Sequence, residues 1–150
     1  MTKNLTLSDI YLARRRIASV IRRTPLVASP RLATEIGKKV LLKLENLQVT
    51  GSFKLRGATN KILSLSKDER ARGVITVSSG NHGKAVAYVS GKLDVKGTIC
   101  VAKTVPENKC QAIKNLGAEL VVIGDNADEA MLYADEIQAE HSMTMQRKTS

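Results

Sequence analysis

Apolar residues recur along this chain at two spacings. Near its start Ile10, Ala13, Ile17 and Val20 fall on one helical face, with Ser8 as the expected cap and Asp9 as a favourable first-turn charge. Thr24-Pro25 ends that helix. A short second helix is predicted over 29–36, closed by Gly37, and the alternating run Lys39-Val-Leu-Leu-Lys-Leu-Glu45 reads as a strand. The small-residue turn Gln48-Val-Thr-Gly-Ser-Phe-Lys54 then enters a helix predicted over 53–65, which puts Lys54 at a strand-to-helix junction.

From residue 74 the pattern becomes regular. Short apolar runs at 74–78, 98–102 and 119–123 have strand length. Between and after them come helical stretches: one opened by Ser79-Gly-Asn-His-Gly83 and running to about Gly91, one from Pro106 to Gly117, and one capped by Asp125 and Asn126 and reaching about His141. Strands alternating with helices at this spacing predict right-handed crossovers and a parallel sheet. The expected organisation is a small α/β parallel-sheet domain over 72–150, preceded by a less regular piece over 1–71.

Composition narrows the function. With 43% hydrophobic and 25% charged residues, the 150-residue chain is ordinary globular material with enough length for a real core. One Phe, three Tyr and no Trp leave that core to aliphatic side chains and exclude a stacking surface for single-stranded nucleic acid. The net charge of +10 is lopsided: residues 1–75 hold 16 Lys/Arg against 5 Asp/Glu, and residues 76–150 hold 8 against 9. The dense run Arg14, Arg15, Arg16 followed by Arg22 and Arg23 would spread over more than one side of a helix. It reads as a solvated or partner-covered face, so no nucleic-acid partner is expected. Cys100, Cys110, His82 and His141 do not make a four-ligand zinc pattern, and no metal is expected. No apolar run approaches a membrane span and the first residues lack a leader's apolar core, so the expected setting is a reducing cytoplasm.

Two segments have the chemistry for a site. In an open parallel sheet ligands bind beyond the carboxyl ends of the strands, where helix N-termini offer N–H groups to anions. Ser78-Ser-Gly-Asn-His-Gly83 occupies that position, with glycines for close backbone approach and neutral donors beside them. An ordinary capped turn would have similar composition, and the segment matches neither a P-loop nor a dinucleotide fingerprint. Lys54, beside Phe53 at the mouth of a helix, is either a solvated helix-start lysine or a partly desolvated amine able to act as a nucleophile.

The two segments together resemble a known signature. Thr50-Gly-Ser-Phe-Lys-Leu-Arg-Gly-Ala58 followed by Ser78-Ser-Gly-Asn-His-Gly83 is similar to the paired motif of pyridoxal-phosphate enzymes of the tryptophan synthase β-like fold, nearest the threonine dehydratase and serine racemase branch. Arg23-Thr-Pro-Leu26, Lys43-Leu-Glu-Asn-Leu-Gln48 and Asn115-Leu-Gly-Ala-Glu119 also fit that branch, and the resemblance extends to about Thr144. Leu55 stands where the related cysteine synthases usually carry an acidic residue, which favours the dehydratase branch.

The resemblance implies the three-layer parallel-sheet units of that fold, pyridoxal 5′-phosphate as cofactor and a small hydroxy amino acid as substrate. It implies that Lys54 carries the cofactor and takes the α-proton, that Phe53 packs beside the cofactor, and that Asn81 bonds its 3′ oxygen. Ser78, Ser79, Gly80, Asn81 and His82 would hold the substrate carboxylate, with Ser79 as a second proton-transfer group in racemase-like members. The implied reaction is β-elimination to a 2-keto acid and ammonia, with serine racemase or hydroxyectoine-utilisation dehydratase as neighbouring possibilities. Homo-oligomers are expected of the full-length family form.

Family members are about twice this long. Their glycine-rich phosphate loop and the group that meets the pyridine nitrogen lie beyond residue 150. Met145-Gln-Arg-Lys-Thr-Ser150 also looks unlike the family's fourth strand and acidic continuation. The expectation is therefore a truncated form whose residues 1–70 expose apolar faces. Its catalysis would be impaired, or the chain would be a non-catalytic remnant that associates with other chains.

Overall fold

The computed structural model describes residues 4–147. Helix α1 spans Leu7–Ile17 and is capped by Thr6, not Ser8, because Thr6 and Asp9 form a reciprocal capping box. Ile17 and Val20 are buried while Ile10 stays exposed, so the predicted apolar stripe is covered only at its C-terminal end. Strand β1, Leu26–Ala28, pairs antiparallel with β2, Leu41–Lys43, around α2, Pro30–Ile36, and no residue of the three elements is fully buried. Gly37 ends α2 at φ 70°, the left-handed conformation expected of a closing glycine. The strand predicted over 39–45 is cut to three residues, and Glu45–Leu47 turns into a short 3-10 segment.

Helix α3, Lys54–Ser64, buries Leu55, Ala58, Thr59 and Ile62, which recur at three- and four-residue spacing. Full burial of an aliphatic side chain such as Leu55 or Ile62 contributes about 1.5–3 kcal/mol. Helix α4, Lys67–Arg72, starts at a second capping box made by Ser66 and Glu69. The parallel sheet follows: β3 Val74–Val77, α5 Asn81–Lys92, β4 Gly97–Val101, α6 Glu107–Lys114, β5 Glu119–Val122, α7 Ala127–His141 and β6 Thr144–Met145.

Its strand order is β5-β4-β3-β6, parallel throughout. Val74, Ile99 and Val101 turn to one face and pack with α5, α6 and α3; Ile75 and Cys100 turn to the other and pack with Ala134 of α7 and Met143. The result is three layers, helix on sheet on helix. The first cluster runs without interruption from Val20 through Ile62 to Ile113, so α3 shares the core of the sheet that follows it. The expectation that the chain after Thr144 would not resemble a fourth strand is corrected: Thr144 and Met145 pair with Val74 and Ile75, and the Gln146 N–H donates to the Ile75 carbonyl at 2.8 Å. Residues 148–150 lie outside the described part. No helix among the described residues is long and apolar enough to cross a membrane.

Candidate active site

The sheet reverses its winding between β3 and β6. From β3 the chain moves outward through α5 on one face, whereas β6 arrives on the opposite side of β3 after α7 has crossed the other face. A crevice opens at such a switch point, beyond the carboxyl ends of the two strands.

Lys54 reaches it from the first turn of α3. The preceding turn is fixed from outside: Gln48, itself buried, accepts from the Arg22 N–H at 2.8 Å and donates to the Arg22 carbonyl at 2.9 Å, imitating a strand partner. Gly51 takes φ 73° with its N–H on the Gln48 carbonyl, and Phe53 leads into the helix. The Lys54 ammonium stands 5.0 Å from the centre of the Phe53 ring, within cation–π range. The hydroxyls of Thr50 and Ser52 are buried in this turn without a hydrogen-bond partner.

Two residues further into α3, Arg56 grips the Glu45 carboxylate with two bonds of 2.9 and 2.8 Å, and the Thr24 hydroxyl donates to the same carboxylate at 2.5 Å. The Arg56 guanidinium holds the Glu45 carboxyl below the ordinary carboxylate range, aided by Thr24 and by the charge of Lys43 and opposed by partial burial. Two segments far from it in sequence, around Thr24 and around Glu45, are thereby tied to the start of α3.

The second wall is the β3–α5 connection. Ser78 is buried and its hydroxyl accepts from the Gly80 N–H at 3.4 Å. A Cβ on Gly83 would stand 2.0 Å from the Ser78 carbonyl oxygen, so only glycine lets the first turn of α5 close onto this loop. His82 is buried, with Nε2 2.9 Å from the Gln146 carbonyl oxygen. A carbonyl accepts only, so Nε2 carries the proton in this contact. The same oxygen accepts from the Thr76 hydroxyl at 2.6 Å.

These walls enclose a cavity of about 480 Å³, within the range of small-molecule sites. Of the residues singled out in the sequence, Phe53, Lys54 and His82 line it; Ser78, Ser79, Gly80 and Asn81 form the adjoining turn and do not. Gly57, Lys61, Gln146 and Arg147 are among the other lining residues and were not foreseen. The spacing 54, 57, 61 marks one face of α3 and was available as a signal. Nothing in the sequence pointed to Gln146. The lining carries Lys54, Lys61 and Arg147 and no carboxylate, and the N-terminus of α5 adds its positive dipole end at His82. No atom lies within 4 Å of where a Gly57 Cβ would stand, so that side of the cavity is open space.

The family model described as pyridoxal-phosphate dependent enzyme matches residues 17–149. Over 142 residues the chain is 47% identical to a putative threonine dehydratase of Sinorhizobium fredii, covering 95% of this chain and 43% of that protein. It is 44% identical to a catabolic L-threonine dehydratase of Staphylococcus aureus, covering 94% of this chain and 41% of the other. Among solved structures, maize serine racemase superposes with a TM-score of 0.91 at 28% identity, covering 99% of this chain and 45% of that one. The T.th. threonine deaminase superposes with a TM-score of 0.83 at 40% identity, covering 94% and 44%. The chain thus spans less than half the length of each relative.

Proposed function

The chain belongs to the pyridoxal-phosphate dependent enzyme family, and from that premise we propose that it supplies the lysine-bearing part of a threonine or serine dehydratase-like ammonia-lyase. The observation that carries the reading is the meeting of Lys54, Phe53 and His82 on one cationic cavity at the sheet's switch point. A cavity of about 480 Å³ lined by three cations and no carboxylate suits a phosphorylated aromatic cofactor with a carboxylate substrate.

In this reading Lys54 holds the cofactor through its amine and moves the proton at the substrate Cα. Phe53 shields that amine on one side, and Asn81, exposed at the first position of α5, bonds the cofactor's 3′ oxygen. Ser78, Ser79 and Gly80 present hydroxyls and N–H groups to the substrate carboxylate, and Ser79 is the second candidate for proton transfer. His82 acts by position, because its Nε2 is engaged by Gln146 and its backbone N–H belongs to the first turn of α5. The bound cofactor supplies an electron sink for the charge left when the α-proton departs. Loss of that proton and of the β-hydroxyl, followed by hydrolysis, gives a 2-keto acid and ammonia.

Residues 72–150 are taken as the small domain and 1–71 as part of a larger one. A cytoplasmic setting is supported by the two free, buried thiols, Cys100 and Cys110. A second reading, association with another chain without catalysis, is favoured by one feature: Leu26, Leu41, Leu42 and Leu47 are all exposed around the β1–β2 pair.

The test is to mix the purified 150-residue chain with pyridoxal phosphate and threonine. The lyase reading expects a visible absorbance band, a borohydride-stable label on Lys54, loss of both in Lys54→Ala, and release of keto acid. Folded protein with neither band nor label would leave the association reading in possession.

A further inference from the structure

A second cavity, also about 480 Å³, lies between α1, the connection after it, β2 and α3. Arg14, Arg23, Lys43 and Arg56 line it together with Ala18 and Ile21, and no carboxylate does. We propose that this cavity is an anion site, separate from the Lys54 cavity, that takes a small, multiply charged ligand of phosphate type.

Two of the four cations are held in place. Arg56 is fixed by its double bond to Glu45 and by a 3.3 Å contact to the Thr24 hydroxyl, and the Lys43 ammonium donates to the Thr24 carbonyl at 2.5 Å. Glu45 offsets one charge while orienting the guanidinium, which leaves its remaining donors aligned. The side chains of Arg14 and Arg23 make no hydrogen bond or ion pair among the described residues. Four cations around one hollow with a single carboxylate behind them repel one another. A phosphate-type anion relieves that repulsion and accepts paired N–H donors from guanidinium planes.

The two cavities share no lining residue. Lys54 and Arg56 sit two positions apart on α3 and therefore face different sides of it. Ala18 and Ile21 give the second cavity an apolar floor, so the ligand has room for an uncharged portion beside its phosphate.

Inorganic pyrophosphate is the probe, titrated calorimetrically into the full chain at constant ionic strength. One saturable site is expected, weakened about tenfold or more in the Arg14→Ala/Arg23→Ala double variant. The Arg15→Ala/Arg22→Ala double variant removes the same net charge outside the cavity and is expected to bind within about twofold of the unaltered chain. Lys54→Ala is expected to leave binding unchanged. Pyrophosphate should raise the melting temperature of every form except Arg14→Ala/Arg23→Ala, which also reports whether that variant is folded. Equal weakening in both double variants would reduce the effect to diffuse charge, loss in Lys54→Ala would move the ligand to the other cavity, and absence of saturable binding would overturn the proposal outright.

Discussion

His82 and Gln146, 64 residues apart, are joined by a 2.9 Å contact from the imidazole Nε2 to the main-chain carbonyl oxygen. That contact ties the first turn of α5 to the end of β6, and both ends lie on the cavity that holds Lys54. Replacing His82 with Ala leaves the carbonyl with the Thr76 hydroxyl alone and removes a buried ring from the wall. Destabilisation of about 1–3 kcal/mol is expected. Amide exchange at Gln146 should accelerate far more than exchange in β4, which makes the loss local; uniform acceleration across the sheet would contradict it.

Glu45 gives a pH signature. Its carboxyl titrates below the ordinary range in the folded chain, chiefly because of Arg56, whereas the unfolded chain keeps the ordinary value. Stability from this group is therefore present above the ordinary carboxylate pKa and is lost as pH falls through the depressed folded value. Glu45→Gln should cost about 1.5–3 kcal/mol at pH 7. The gap between variant and unaltered chain in urea melts should narrow as pH is lowered into the acid range. A gap that stays constant down the series would assign the loss to packing.

Gly83→Ala tests the closure of the loop onto α5. The added methyl would meet the Ser78 carbonyl oxygen at 2.0 Å, and backbone cannot swing aside as a flexible side chain can. The loop must move, at a cost of about 3 kcal/mol. Gly80→Ala meets nothing within 4 Å and should be close to neutral in thermal melts. The contrast between two alanines three residues apart is the diagnostic.

Cys100 lies buried in β4 with its thiol pushed up to about 11, first by burial and then by Glu119. The folded chain should leave this thiol unmodified by a thiolate-selective disulfide reagent at pH 8, and denaturant should expose it at once. The raised value also sets a sign. The unfolded thiol ionises near 9, so the chain loses stability from this group as pH climbs from there toward 11. Cys100→Ser should flatten that alkaline decline in melts recorded across the same window.

The helices and strands from 74 to 141 were legible because their apolar runs have strand or helix spacing and their ends carry strong signals, such as Asn126 bonding the N–H groups of Asp128 and Glu129. Strand β1 was missed because Leu26-Val-Ala28 has no alternation and every residue in it is exposed. Helix α4 was missed although Ser66 and Glu69 spell a capping box, because the six residues they start contain no apolar stripe. At the site, Lys54 and Phe53 could be read from their motif. The Thr24–Glu45–Arg56 network could not, since three polar residues whose ends lie 32 positions apart leave no local pattern and acquire meaning only when the chain folds them together. Gln146 is the extreme case: its part is played by a main-chain carbonyl, and any residue supplies one.

The pairing of β6 with β3 bears on the order in which the molecule assembles. Neighbouring strands β3 and β4 meet across 23 positions, Val74 against Gly97, whereas Val74 meets Thr144 across 70. Closing a loop three times longer costs about 1 kcal/mol more in chain entropy, and β6 brings only two paired residues to offset it. Within the parallel sheet, the wall holding Met145 and Gln146 is thus expected to be the last piece to arrive in folding and the first to depart under heat or denaturant. The Lys54 pocket should melt open while β3, β4 and β5 still stand.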